Sequence, residues 1–167
     1  PMSSILKVSE IQDPTNGNTA LAIDSTGDIT TLKAPGAVIQ TVTNTATTTV
    51  TVNSTTPVDL IAVSITPKFA NSVIHIEFYV SQIEIAKGSS NAYATVYLYD
   101  PSGNQLFRTV NGEVDYNSAT HSGIGIHSPN STSSQTYQTK LGTASGGTGT
   151  THTNGQRYTI KATEIAQ

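Results

Sequence analysis

Between Ser72 and Ala86 the sequence alternates apolar and polar side chains with a period of two, the signature of an extended strand with one buried face. Ile74, Ile76, Phe78 and Val80 share one face; His75, Glu77, Tyr79 and Ser81 share the other. Gln82 keeps the first parity, but Ile83 and Ile85 carry the apolar pattern on the second. A bulge or bend is therefore expected near Ser81. Comparable runs recur from Ala37 onward. Val38, Gln40 and Val42 alternate with Ile39 and Thr41, and Thr48 to Val52 alternates Thr and Val. Leu60 to Thr66 is apolar enough to be buried, and Pro67 ends it. Ala92 to Tyr99 sets Val96 and Leu98 against Tyr93, Thr95, Tyr97 and Tyr99.

The turns between these runs have their own chemistry. Asp100-Pro101-Ser102-Gly103-Asn104 predicts a tight turn into Gln105 to Val110, and Asn111-Gly112 suits a two-residue hairpin turn into Glu113 to Tyr116. Thr120 to His127, Gln135 to Leu141 and Arg157 to Ile165 complete the strands. In the last, Tyr158, Ile160, Ala162 and Glu164 oppose Thr159, Lys161, Thr163 and Ile165. Ser145 to Thr150 reads as a flexible loop. Thr and Ser make up more than a quarter of the 167 residues, good helix formers are thin, and no helix is expected. Eight or nine strands with short turns predict an all-β fold: an antiparallel β-sandwich of jelly-roll type, with another Greek key as the competitor.

Residues 1–34 differ from this body. Ile5, Leu6, Val8 and Ile11 are apolar at mixed spacing, fit for a short strand or one helical turn. Leu21 and Ile23 point to one face, Asp24-Ser25-Thr26-Gly27 forms a turn cluster, and Ile29 returns. A two-stranded hairpin with so few apolar residues is marginal in water, so it should dock on other chains or on a larger surface. Ala34-Pro35-Gly36 marks the boundary, giving an N-terminal extension over 1–34 and a head over 35–167.

The net charge of −3, with few charged residues, argues against nucleic acid and against a polybasic membrane anchor. No apolar run is long enough to span a bilayer, and the opening residues do not form a signal peptide. Without cysteine there is no disulfide framework and no cysteine-based zinc site. Catalytic motifs fail. Gly123-Ile124-Gly125-Ile126-His127-Ser128 begins like a dinucleotide fingerprint but has Ser at the third glycine and no helix to follow. There is no phosphate-binding loop and no nucleophile elbow. His75, His121, His127 and His152 lack zinc spacing; His121 and His127 share a parity, and a three-fold axis could gather one histidine from each chain. Glu113 and Asp115 could pair for glycoside hydrolysis, but beside a hairpin turn they read as solvated charges. Asn53-Ser54-Thr55 and Asn130-Ser131-Thr132 fit the glycosylation sequon, which threonine-rich sequence produces by chance. No enzyme, metal or cofactor is expected. Tyr93, Tyr97 and Tyr99 are the best binding candidates: their face can line the core, form a subunit interface or meet a ligand.

Two stretches carry a resemblance. Leu-x-Ile-x-x-x-Gly-x-Ile, at Leu21 to Ile29, resembles one repeat of the trimeric β-spiral shafts of viral fibres. Ser4 to Gln12 with Gly17 to Thr30 resembles the N-terminal segment of many virion structural and tail-fibre-like proteins of marine and freshwater phages, cyanophages among them. The head is similar to the globular domain that often follows, at Pro35-Gly36-Ala37-Val38-Ile39-Gln40, Val63-Ser64-Ile65-Thr66-Pro67, Ala70-Asn71-Ser72-Val73-Ile74, Thr136-Tyr137 and Ile160 to Ala166. Ala92 to Gly125 is not matched. The resemblance implies a non-enzymatic phage particle component at the virion surface. It would be a homotrimer attached to capsid or tail proteins through Ile5, Leu6, Val8, Ile11, Leu21, Ile23 and Ile29. A capsid decoration (cement) protein or head spike is the leading reading; a tail-fibre tip touching host glycans is the alternative.

Overall fold

The structure, a computed structural model, describes residues 9–12, 19–23, 25–26, 29–32, 35–54, 56–86, 93–111, 116–143, 150–153 and 155–167. Among them all regular structure is strand. In chain order the strands are β1 (Glu10–Gln12), β2 (Thr19–Ile23), β3 (Ile29–Leu32), β4 (Val38–Ala46), β5 (Thr51–Val52), β6 (Val58–Ile65), β7 (Val73–Ala86), β8 (Ala94–Tyr99), β9 (Gln105–Asn111), β10 (Tyr116–His127), β11 (Gln135–Thr143), β12 (Thr150–His152) and β13 (Tyr158–Ile165).

Eight of these build an antiparallel sandwich. One sheet runs β4-β13-β7 with β10 on the far side of β7, and short β12 and β5 extend it; the other runs β6-β11-β8-β9. The pairing is nested. β4 pairs with β13, β6 with β11, β7 with β10 and β8 with β9, as in one long hairpin rolled up on itself. The ends of the head close on each other: Gly36 N–H donates to the Ala166 carbonyl, and Ala166 N–H to that of Ala37, both at 2.9 Å.

Alternation places the core as expected. Ile74, Ile76, Phe78 and Val80 of β7 and Tyr158, Ile160 and Ala162 of β13 are buried, facing Ala94, Val96 and Leu98 of β8 and Tyr137 and Leu141 of β11. The parity switch in β7 is a bulge: Ser81 and Gln82 together oppose the single residue Thr120. Thr120 Oγ1 donates to the Ser81 carbonyl at 2.9 Å, and Ser81 Oγ to that of Arg157 at 2.6 Å, so the bulge is held from both sides. Beyond it Ile83 is fully buried, and the neighbour of β7 changes from β13 to β12. A second bulge, between Leu98 and Tyr99, sets Leu106 opposite no single partner, and Leu106 and Phe107 both pack on the core.

Two expectations need correction. Thr48 to Val52 is not one strand; only Thr51–Val52 pairs. The Thr48 carbonyl instead accepts from Thr153 Oγ1 at 3.1 Å and Tyr158 Oη at 2.9 Å, and Val50 N–H donates to Thr153 Oγ1 at 3.1 Å, so side chains take the groups a ladder would use. Tyr116 and Thr120 to His127 belong to one strand, β10, rather than two. Residues 112–115, with Gly112, Glu113 and Asp115, lie outside the described residues.

Glycine at 123 is fixed by packing. A Cβ there would stand 2.4 Å from one Phe107 ring carbon and 2.7 Å from Phe78, whose rings meet edge to face at 5.9 Å. Overpacking of this kind costs about 1–3 kcal/mol. Gly123→Ala should therefore lower the unfolding free energy of the head by that amount, read as a lower urea midpoint at an unchanged m-value; an unaltered midpoint would show that the rings shift freely.

Candidate functional site

The N-terminal strands form a sheet of their own, in the order β1-β2-β3. The expected two-stranded hairpin has a third strand. β1 pairs with β2, placing Ile11 opposite Leu21, and β3 places Leu32 opposite Leu21 from the other side. Ile23 N–H donates to the Ser9 carbonyl at 2.8 Å. Ile11 remains 49 % exposed, while Leu21 and Ile23 are half-buried. None of the three belongs to the core of the head. Ile29 pairs with Ile23 through the backbone; Ile5, Leu6 and Val8, and Asp24 and Gly27 of the expected turn, lie outside the described residues.

The tyrosine face is not a core wall. On β8, Ala94, Val96 and Leu98 point inward, and Tyr97 and Tyr99 stand half-buried on the outer face. Their rings are near-parallel, 24° apart in plane, with centroids 6.0 Å apart. Tyr93 precedes the strand, half-buried, and the fully buried Thr95 separates it from that pair. The register builds a row across the sheet that sequence reasoning missed: Asp59, Lys140, Tyr97 and Arg108, one from each of β6, β11, β8 and β9. The Arg108 guanidinium lies 5.9 Å from the Tyr97 ring centre, and the Lys140 ammonium 5.7 Å from that of Tyr99. Lys140 Nζ pairs with Asp59 Oδ1 at 3.0 Å. The Lys140 hydrogen bond, foremost, holds the Asp59 carboxyl below its usual range; burial opposes it, and a hydrogen bond from Gln138 and the Lys140 charge add to the lowering. Gln138 lies opposite Tyr99. A groove of about 520 Å³ opens beside Tyr99, between Pro57, Pro101, Thr136, Gln138 and Lys140. Tyr97 and Tyr99 stand out in sequence, but Asp59, Lys140 and Arg108 do not; only the pairing of four separate strands assembles the row.

The outer face of the other sheet is a threonine ladder with an apolar end. Thr45 meets Thr159, and Thr41 meets Thr163, each at 3.3 Å. Lys161 pairs with Glu77. Toward edge strand β10, Tyr79, Ile124 and Ile126 stand 50–60 % exposed beside a shallow groove of about 600 Å³.

Buried polar groups mark structural centres. Glu164, at a core-facing position of β13, is fully buried. Its carboxylate accepts from Lys68 N–H (2.9 Å), Phe69 N–H (3.1 Å), Ser72 Oγ (2.7 Å) and Gln40 Nε2 (2.6 Å). Burial pushes its pKa up, but the donors from Lys68, Gln40, Ser72 and Phe69 together outweigh it and hold the group below its ordinary value. At one end of the sandwich, His127 Nδ1 shares a hydrogen bond with Tyr137 Oη at 2.9 Å, and Nε2 faces Asp100 Oδ2 at 4.0 Å. Asp100 also accepts from Ser102 N–H and Asn104 N–H at 2.8 Å, which fixes the turn where Gly103 takes φ +84°.

His121 and His127 do share the inward face of β10, but they oppose Val80 and Ile74, far apart along the strand. Among the described residues no three His, Cys, Asp or Glu side chains gather to hold a metal. His121 is 2 % exposed, neither ring nitrogen has a hydrogen-bond partner among the described residues, and burial pushes its pKa down. The unfolded chain therefore binds the proton more readily, and stability falls as pH drops below about 6.5. His121→Leu removes two unpaired polar atoms, so it should raise stability by about 1–2 kcal/mol and flatten the profile between pH 6.5 and 5. Urea titrations at both pH values check this; a destabilised, equally acid-sensitive variant would contradict it.

No family model matches the chain. No curated protein matches it. Among solved structures it is similar to the infectious bursal disease virus VP2 subviral particle, at 15 % identity over 100 % of this chain and 43 % of that one, with a TM-score of 0.39. It is also similar to the T13 particle of that virus, at 12 % identity over 99 % and 40 %, with a TM-score of 0.37. A Bacillus endospore appendage protein aligns at 12 % identity over 82 % and 97 %, with a TM-score of 0.25. The chain spans about two-fifths of the length of these viral proteins. At such identities and TM-scores the likeness assigns no function.

Proposed function

We propose that this chain is a non-enzymatic structural protein of a phage particle, a trimeric decoration protein or head spike at the virion surface. Its N-terminal sheet grips the particle, and its β head faces outward. The observation that carries the reading is the apolar row through Ile11 and Leu21, which the chain itself leaves half open. A small three-stranded sheet with such a row gains most of its stability from whatever covers it. The exposed cluster of Tyr79, Ile124 and Ile126 gives the head an apolar edge suited to another copy. The nested strand order is read here as a jelly roll, a winding common among capsid domains.

The phage resemblance supports the same reading in a particular way. Gln40, Thr66, Ser72 and Glu164 fall within the separate stretches that carry it, and they meet at one place: Gln40 Nε2 donates to the Thr66 carbonyl at 2.7 Å and to the Glu164 carboxylate. Those stretches thus describe the seam that closes the head. The test is removal of residues 1–33, followed by binding of the remaining head to particles that lack the protein. Undiminished binding would overturn the anchor.

A further inference from the structure

We propose that the outer face of the β6-β11-β8-β9 sheet is a saccharide subsite, built to take a pyranose oligosaccharide that carries a carboxylate. The inference goes beyond the particle reading and does not depend on it. A pyranose has apolar C–H faces and hydroxyls around its rim. A site for it needs an aromatic strip bordered by fixed donors and acceptors.

Tyr97 and Tyr99 supply the strip, two near-parallel rings on a rigid strand rather than on a loop. The groove of about 520 Å³ at Tyr99 falls within the roughly 300–1,000 Å³ usual for small-molecule sites. Gln138 and Thr136 line it with an amide and a hydroxyl, Lys140 with an ammonium held in place by its ion pair with Asp59, and Asp100 with a carboxylate already engaged by its own turn. Arg108 gives the charge preference. Its guanidinium lies at Tyr97 with no carboxylate against it among the described residues, so its planar fork is free for an incoming carboxylate. The other open face does not offer this combination: Lys161 is paired with Glu77, and Tyr79 stands beside Ile124 and Ile126 rather than beside a second ring.

The experiment is a titration of the whole protein, followed by backbone amide NMR, with tri-galacturonate, 3′-sialyllactose and neutral maltotriose, alongside an acidic-glycan array. Carboxylated sugars should give saturable shifts centred on Tyr97, Tyr99, Gln138 and Lys140, in the millimolar range or tighter. Tyr99→Ala should weaken binding by about tenfold or more. Arg108→Gln should bring carboxylated and neutral sugars to equal affinity, and deletion of residues 1–33 should change nothing, which separates this site from the anchor. The proposal is overturned if no acidic glycan binds on the array and no sugar shifts these amides at about 10 mM, tenfold above a 1 mM Kd. Shifts centred elsewhere overturn it too, as does self-association that buries both tyrosines.

Discussion

A head lacking residues 1–33 should stay soluble, unfold cooperatively and, on the proposed anchoring, bind the particle at least about 100-fold more weakly than the whole chain. Folding should survive because the core is formed by residues from Val42 onward, and because the seam between Gly36–Ala37 and Ala166 lies wholly within the part retained. Binding should not survive. Full burial of a large aliphatic side chain contributes about 1.5–3 kcal/mol, and Leu21 and Ile23 are already mostly covered. Each therefore brings at most about a third of that, and Ile11, with half of its surface open, about half. One arm alone is then a weak ligand. In the proposed trimer, three arms would make the second and third contacts intramolecular, which can multiply affinity by about 10²–10⁴. That gain disappears with the arm. Sedimentation of the truncated head with stripped particles reads the loss, and Ile11→Asp in the full chain should reproduce much of it without touching the fold. A truncated head that sediments with particles as well as the intact chain would move the anchor into the head.

The strands were legible wherever one face is buried and the other wet. β13 reads Tyr158, Ile160, Ala162 and Glu164 inward without a break, and β7 announced even its bulge through the shift from Phe78 and Val80 to Ile83. What stayed hidden depends on register between distant segments. Asp59, Lys140, Tyr97 and Arg108 lie on four strands, and no local pattern says that they form a row. Tyr97 and Tyr99 do lie on one strand, as expected, while Tyr93 falls just before it, and the sequence leaves the use of all three open. Parity cannot tell which face of a two-sided alternation is the core when Thr95 is buried on the same side as Tyr97. At β1 the sequence leaves a short strand and a helical turn both open, because Glu10–Gln12 is too short to show a period at all. Glu164 did leave a signal, a charge at a core-facing position of a clean strand, and its meaning needed the donors that converge on it.

Those donors make the head sensitive to any change at Glu164. Glu164→Gln keeps the shape but replaces one acceptor oxygen by an amide that donates. Lys68 N–H lies 2.9 and 3.0 Å from the two carboxylate oxygens, and Phe69 N–H 3.1 Å from one. At least one of these backbone donors, or Ser72 Oγ, must then lose its acceptor or face another donor. Each orphaned buried donor costs about 1–3 kcal/mol, so the glutamine variant should be about 2–4 kcal/mol less stable at pH 7, and Glu164→Ala at least as much. That is a large share of the roughly 5–15 kcal/mol that holds a domain together. The sign of the pH effect follows from the depressed pKa. Above the unfolded value near 4.5 the carboxylate is charged in both states, and its stabilisation is fully present. As pH falls below 4.5 the unfolded chain takes the proton first, and the stabilisation drains away until the native carboxyl also protonates. The limb from His121 begins higher, near 6.5, so the wild-type head should start to lose stability there and gain a second, lower step below 4.5. Urea midpoints from pH 7 to pH 3 should show the lower step in wild type and a loss of its Glu164 contribution in Glu164→Gln. A variant as stable as wild type at pH 7, with the same lower step, would mean that the loop from Lys68 to Ser72 finds its hydrogen bonds elsewhere and that this carboxylate does not close the head.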